Sequence, residues 1–262
     1  MKHNRKKARN WLFVIALVLL AAIFLYAAYH LISYWYAEQE NKQLTDDLIE
    51  KVVLVPADTS EDTSESLPDV PTEETAPISI DFDALWQENE DVVAWIYCEG
   101  TPIQYPVVQS SDNSYYLRRL LNGKYNVNGT IFLDYRCASD FGGFNSILYG
   151  HHMKSGEMFG TLPKYKDQAY YDEHPVLYLL TPEQNYKVEL IARYITPSDS
   201  DIYVLPVTLE QKKAFLEHAV SESSFQSNVS FNETDSFLTL STCSYEYDNA
   251  RFVVVGKLTT IE

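Results

Sequence analysis

Three residues able to carry out acyl chemistry sit at the ends of expected strands in this chain. In FLTLSTCSYEYDNARFVVVGKL, residues 237–258, Phe237 to Thr242 alternates and is rich in β-formers, so it reads as a strand. Arg251 to Leu258 reads as a second strand, with Ser244 to Ala250 as the polar turn between them. Cys243 therefore stands where a strand ends and a loop begins, its backbone fixed by the sheet and its sulfur free to face a cleft. Arg251 opens the returning strand at the same end of the sheet. A fixed cation near a thiol favours the thiolate and can neutralise a developing oxyanion. The remaining need is a base, and His151 in SILYGHHMKSGEMFG supplies the best candidate. Taken singly, each has an ordinary alternative: a small strand-end residue, a loop histidine, half of a surface ion pair.

These residues need a scaffold that joins distant segments, and the chain between 80 and 262 reads as one. Asp81 or Asp83 can cap a short helix running to Glu90, and Val92 to Tyr97 reads as the first strand. IQYPVVQ is a second, where Pro106 implies an edge or a bulge. SDNSYYLRRLL has a capping start and helix-like apolar spacing, so a helix is expected there. NGTIFLD and NSILYG are strands, and residues 161–174 a helical or looped excursion. VLYLLT and YKVELIARYIT form a hairpin around Pro182 to Asn185. TLEQKKAFLEHAVSESS is an amphipathic helix with Phe215, Leu216 and Ala219 on one face. About eight short strands with few helices imply a mainly β fold, a closed barrel with helical insertions.

The first 80 residues imply a place for that domain. Lys2, Arg5, Lys6, Lys7 and Arg9 form a basic tail over 1–10 without one acid, although the whole chain of 262 residues carries a net charge of -17. Residues 11–37 hold no Asp, Glu, Lys or Arg, enough to cross ~30 Å of hydrocarbon as a helix. Tyr34, Trp35 and Tyr36 make an aromatic belt at its far end, and the basic tail orients the amino terminus to the cytoplasm. A cleaved signal peptide is the competing reading, but the apolar run is long and no convincing small-residue cleavage site follows. Residues 38–79 are acidic, with four prolines, and read as a stalk: helical as far as about Val55, then extended by charge repulsion. The acidic balance argues against a nucleic-acid surface. His151, His152 and His174 lack metal-ligand spacing, so neither a metal nor a cofactor is expected. Adjacent histidines after a strand point to opposite sides, and Gly150 should turn His151, rather than His152, into the cleft. Cys98 and Cys137 lie in apolar surroundings and read as inert buried thiols, although spacing alone leaves a pairing open.

Thr-Leu-Ser-Thr-Cys with an Arg at the head of the next strand resembles the sortase signature T-L-x-T-C…R, and LYGHHMK resembles the sortase histidine segment. The resemblance runs from about residue 81 to the end. It is nearest to class B, supported by DVVAWIYCEGTPIQYPVVQSSDNSYYL, YGHHMKSGEMFGTL and the inserted helix before the last strands. The pilin-polymerising class C enzymes usually carry a D-P-W or D-P-F lid and a second apolar span, neither of which is seen in this chain. The resemblance implies an eight-stranded barrel and a membrane-anchored cysteine transpeptidase. Cys243 would attack the carbonyl within a C-terminal sorting signal of secreted proteins, and an amine of peptidoglycan or its lipid-linked precursor would release the acyl group. His151 would move the proton, and Arg251 would hold the carbonyl and the oxyanion. Asn113, Leu117, Tyr149 and Ser241 fall where class B enzymes line the sorting-signal groove. Two alternatives stay open: a surface cysteine peptidase that passes the acyl group to water, and a membrane-tethered binding ectodomain.

Overall fold

A computed structural model describes residues 2–54, 75–200, 203–244 and 246–261. Helix α1 runs Lys2–Val52 and is followed by a two-residue strand, β1, Val53–Leu54. Within α1 the stretch from Phe13 onward is long and apolar enough to cross a membrane. Leu17, Leu20, Ile23, Phe24 and Leu31 lie exposed along it. The chain divides into two compact units at Leu44/Thr45.

The second unit begins earlier than the expected boundary near Ile80. β1 pairs antiparallel with β2, Ser79–Ile80, and Lys51 Nζ meets Glu88 Oε1 at 2.6 Å. Thr45–Leu54 is thus part of the folded unit rather than of a stalk. Most of the acidic run expected to be extended falls in 55–74, outside the described residues. Helix α2, Phe82–Glu88, is capped by Asp81, whose carboxylate accepts the Ala84 amide at 2.9 Å.

Eight strands close a barrel: β3 Val92–Tyr97, β4 Gln104–Val108, β5 Ile131–Leu133, β6 Asn145–Tyr149, β7 Val176–Leu180, β8 Asn185–Pro197, β9 Ser236–Cys243 and β10 Ala250–Ile261. Around the barrel they run β10-β8-β7-β3-β4-β5-β6-β9. Pro106 lies at neither a sheet edge nor a bulge of its own strand. It faces Trp95 on β3, and the pairing of β4 with β5 begins only at Val107, so no ladder bond is asked of it on that side. The irregularity falls instead on β3, between Val92 and Ala94.

Period-two alternation sorts the last strands into two faces. Leu238, Leu240, Phe252 and Val254 point into the barrel with Leu148 and Ile96. Phe237, Val253 and Val255 face outward and are covered by Phe215, Leu216 and Ala219 of helix α4, Leu209–Ser221. Burying Phe215 and Leu216 contributes roughly 3–6 kcal/mol to docking that helix. Its start is fixed by a capping box between Thr208 and Gln211. Cys243 shares the outward parity of Phe237 and Ser241, so the fold directs it away from the barrel core.

The segment expected as a helix, SDNSYYLRRLL, forms only a single 3-10 turn, Tyr116–Arg118. The carbonyls an α-helix needs are taken elsewhere: Tyr116 O by the Thr130 amide at 3.1 Å and Arg118 O by the Asn126 amide at 3.1 Å. The buried Tyr116 ring anchors the segment, with its hydroxyl donating to Asp91 and accepting from Asn89. Residues 161–174 hold a 3-10 turn, Leu162–Lys166, and a short helix α3, Gln168–Glu173. All three cysteines are free thiols.

Candidate active site

The outward ends of β6, β9 and β10 meet at one groove of about 310 Å³ lined by Cys243, His151 and Arg251. Sheet register accounts for the meeting. Cys243 stands directly opposite Arg251 in the antiparallel β9–β10 pair, where facing side chains share one side of the sheet. β6 runs parallel to β9 on the other flank, with Tyr149 opposite Ser241. His151 follows two residues after Tyr149 and so arrives beside the end of β9. Thr242 Oγ1 donates to the Gly150 carbonyl at 2.7 Å and ties the two exits together. Gly150 must be glycine here, because a Cβ would sit 2.6 Å from the Phe159 ring.

Asn113, Leu117, Tyr149 and Ser241 line the same groove. The fold therefore gathers all seven candidate residues in one place. Nε2 of His151 lies 2.7 Å from the Leu117 carbonyl, an acceptor only, so this nitrogen carries the hydrogen. In the neutral ring Nδ1 is then the nitrogen able to take a proton. Burial pushes the His151 pKa below its ordinary value, with a small contribution from the Arg118 cation, and the Leu117 carbonyl opposes the shift without cancelling it. A histidine NMR titration is expected to place the His151 midpoint below 6.5, the ordinary value. Below that value the unfolded chain takes up this proton first, so the group reduces stability on acidification. A midpoint at or above 6.5 contradicts the assignment of burial as the dominant cause.

Arg251 Nη1 donates to the Ala250 carbonyl at 3.1 Å, which bends the side chain along its own turn. Among the described residues no carboxylate pairs with it. The other two cysteines differ in kind from Cys243. Cys98 is fully buried beneath the Tyr165 hydroxyl, and burial pushes both thiols up, that of Cys137 to about 11. Thiols so shifted are poor nucleophiles at neutral pH.

Tyr203 and Asp134 are missed by sequence reasoning. Tyr203 stacks on Tyr149 with ring centroids 6.2 Å apart, and its hydroxyl meets Ser241 Oγ at 2.8 Å. The one available signal was its place as an aromatic in the polar segment SDSDIYVLP. Asp134 is fully buried behind the groove. It receives the Arg136 Nε at 2.8 Å and Nη2 at 2.7 Å, the Tyr149 hydroxyl at 2.9 Å and Asn113 Nδ2 at 3.0 Å. Burial alone raises a carboxyl pKa, but these donors outweigh it and hold Asp134 below the usual value. Its stabilisation is present above the ordinary carboxylate pKa of 3.8 and is lost as pH falls through the lower folded value. Asp134→Asn replaces one acceptor with a donor facing these groups, so stability is expected to fall by about 2–3 kcal/mol in urea unfolding at pH 7. An unchanged midpoint contradicts the hub.

A family model described as the Sortase domain matches residues 96–259. A sortase B of Listeria monocytogenes is 38% identical over 181 residues, covering 67% of this chain and 73% of that protein. The crystal structure of a sortase B from B. anthracis in complex with AAEK1 superposes with a TM-score of 0.70 at 31% identity, covering 86% of this chain and 99% of the other. The Staphylococcus aureus sortase B–substrate complex gives a TM-score of 0.66 at 30% identity, covering 69% and 85%. A closed eight-stranded barrel, a domain match across nearly all of it and these relatives lead to one conclusion: the chain belongs to the sortase family of cysteine transpeptidases and is most like its class B members.

Proposed function

We propose that this chain is a membrane-anchored class B transpeptidase that cleaves the C-terminal sorting signal of secreted proteins and joins the new acyl end to a cell-wall amine. The observation carrying this reading is the convergence of Cys243, His151 and Arg251 on one groove from the ends of three neighbouring strands. The Cys243 thiol proton passes to Nδ1 of His151, Sγ attacks the scissile carbonyl carbon, and the carbonyl electron pair moves to an oxyanion held by the Arg251 guanidinium. On collapse the C–N bond breaks, His151 gives its proton to the departing amine, and a thioester remains. An amine of peptidoglycan or its lipid-linked precursor then attacks the thioester while His151 takes its proton. The C–S bond breaks and Cys243 is restored.

Asn113, Leu117, Tyr149 and Ser241 form the recognition wall in this reading. Residues 1–10 lie in the cytoplasm, 11–37 cross the membrane, and the barrel works outside, held off the surface by the acidic run. No metal or cofactor takes part. The test is product analysis with the domain and a sorting-signal peptide, with and without an added amine such as a short glycine peptide. Amide-linked product at the expense of hydrolysis supports transpeptidation. Hydrolysis alone, undiminished by amine, favours a peptidase, and absence of any cleavage favours a binding ectodomain.

A further inference from the structure

The second histidine of the pair has a use of its own. Parallel strands bond in evenly spaced rungs, each strand offering alternate residues to its neighbour. Between β6 and β9 the last backbone rung runs from the Gly150 amide to the Ser241 carbonyl at 3.2 Å. The next rung calls for the amide of residue 152 to meet the carbonyl of Cys243. By then the chain has left the sheet, turning at Gly150 and pairing His152 with Met158 across an isolated bridge. The His152 imidazole fills the gap: Nδ1 lies 3.0 Å from the Cys243 carbonyl oxygen, an acceptor that only a protonated Nδ1 can satisfy. On its other flank the strand end is closed by the Ser244 amide donating to the Ala250 carbonyl at 2.9 Å. His152 does this from outside the groove, for it lines a separate cavity with Pro163, Ser244 and Glu246.

We infer that His152 is a positioning residue for the nucleophile: its Nδ1–H takes the missing ladder rung at the Cys243 carbonyl and pins the peptide that carries the sulfur. The pair HH thereby divides its work, His151 facing the groove and His152 securing the backbone behind it. Lacking that rung, the last peptide of β9 frays and the sulfur samples orientations away from a bound carbonyl. Misplacement of an attacking atom acts on the chemical step more than on substrate binding.

Asparagine carries an amide nitrogen at the position of Nδ1, whereas glutamine places it one bond further out, near Nε2. The test compares His152→Asn, His152→Gln and His152→Leu with the unaltered domain in two measurements. The first, hydrogen exchange at the Ser244 amide, needs no substrate. Exchange is expected about tenfold faster in the Leu and Gln variants and within twofold of the unaltered rate in the Asn variant. The second is kcat and KM on a sorting-signal peptide, which rests on the function proposed above. Here kcat is expected to fall about tenfold or more in the Leu and Gln variants with KM within twofold, and to be largely retained in the Asn variant. Equal exchange rates in all four proteins overturn the inference, as does an Asn variant that behaves like the Leu variant. Should the unaltered domain cleave no such peptide, the functional reading fails while the exchange comparison still decides the role of His152. If the Leu variant does not fold, the Asn–Gln contrast carries the same decision.

Discussion

Cys243→Ala is expected to leave a folded barrel with no acyl transfer above background, a loss on the order of 10⁵-fold or more. The two halves of that expectation come from different features. Cys243 is the last residue of β9, half-buried, on the outward side of the sheet, and is absent from both the barrel-core cluster around Leu240 and the cluster beneath α4. Trading its sulfur for a hydrogen leaves no cavity of consequence, so the melting temperature should move by no more than a few degrees. Activity is another matter, because no second thiol can replace it. Cys98 is sealed in the core, and Cys137 is held by burial at about 11. The check is calorimetry beside a peptide cleavage assay that also follows thioester formation by mass. Residual turnover within a hundredfold of the unaltered domain would remove Cys243 as the nucleophile.

Arg251→Lys is expected to reduce kcat by about 10²–10³-fold while raising KM far less. Lysine keeps the charge, so a role limited to long-range electrostatics predicts near-normal turnover. The geometry argues otherwise. Arg251 spends one nitrogen, Nη1, on the Ala250 carbonyl and remains opposite Cys243 in the β9–β10 register. A planar fork can brace itself on its own turn and still present donors to an oxyanion, whereas a single ammonium must choose. Because β10 stays paired along its full length in either variant, folding should not be affected. Steady-state kinetics on one peptide separates the outcomes: a loss confined to KM would make Arg251 a binding residue rather than a stabiliser of the reacting carbonyl.

Strands and their alternation were readable in the chain because period-two patterning is local: Phe237 to Thr242 shows its two faces without any partner. The amphipathic helix around Phe215 was readable for the same reason, with a period of 3.6. SDNSYYLRRLL was not. Its spacing is helical, but buried contacts of Tyr116 and backbone bonds to Thr130 and Asn126 outbid local preference. The folded unit starting at Thr45 rather than near Ile80 was missed because two short β segments reveal nothing until they pair. Asp134 escaped notice because a lone Asp after a strand has no pattern; its importance lies in donors drawn from three separate segments.

The order of residues alone determined which groups are candidates for the chemistry, that each stands at or near a strand end, and that an apolar helix precedes them. Tertiary structure decided what they face. His152 and Cys243 are 91 positions apart and become neighbours only through the parallel pairing of β6 with β9, which in turn depends on burying the whole barrel core. The same pairing sends one histidine into the groove and leaves its neighbour at the strand end. The Leu117 carbonyl then fixes which ring nitrogen of His151 is left to take a proton. Local sequence sets the phase of a strand; its partners are chosen by the collective burial of side chains far apart along the chain.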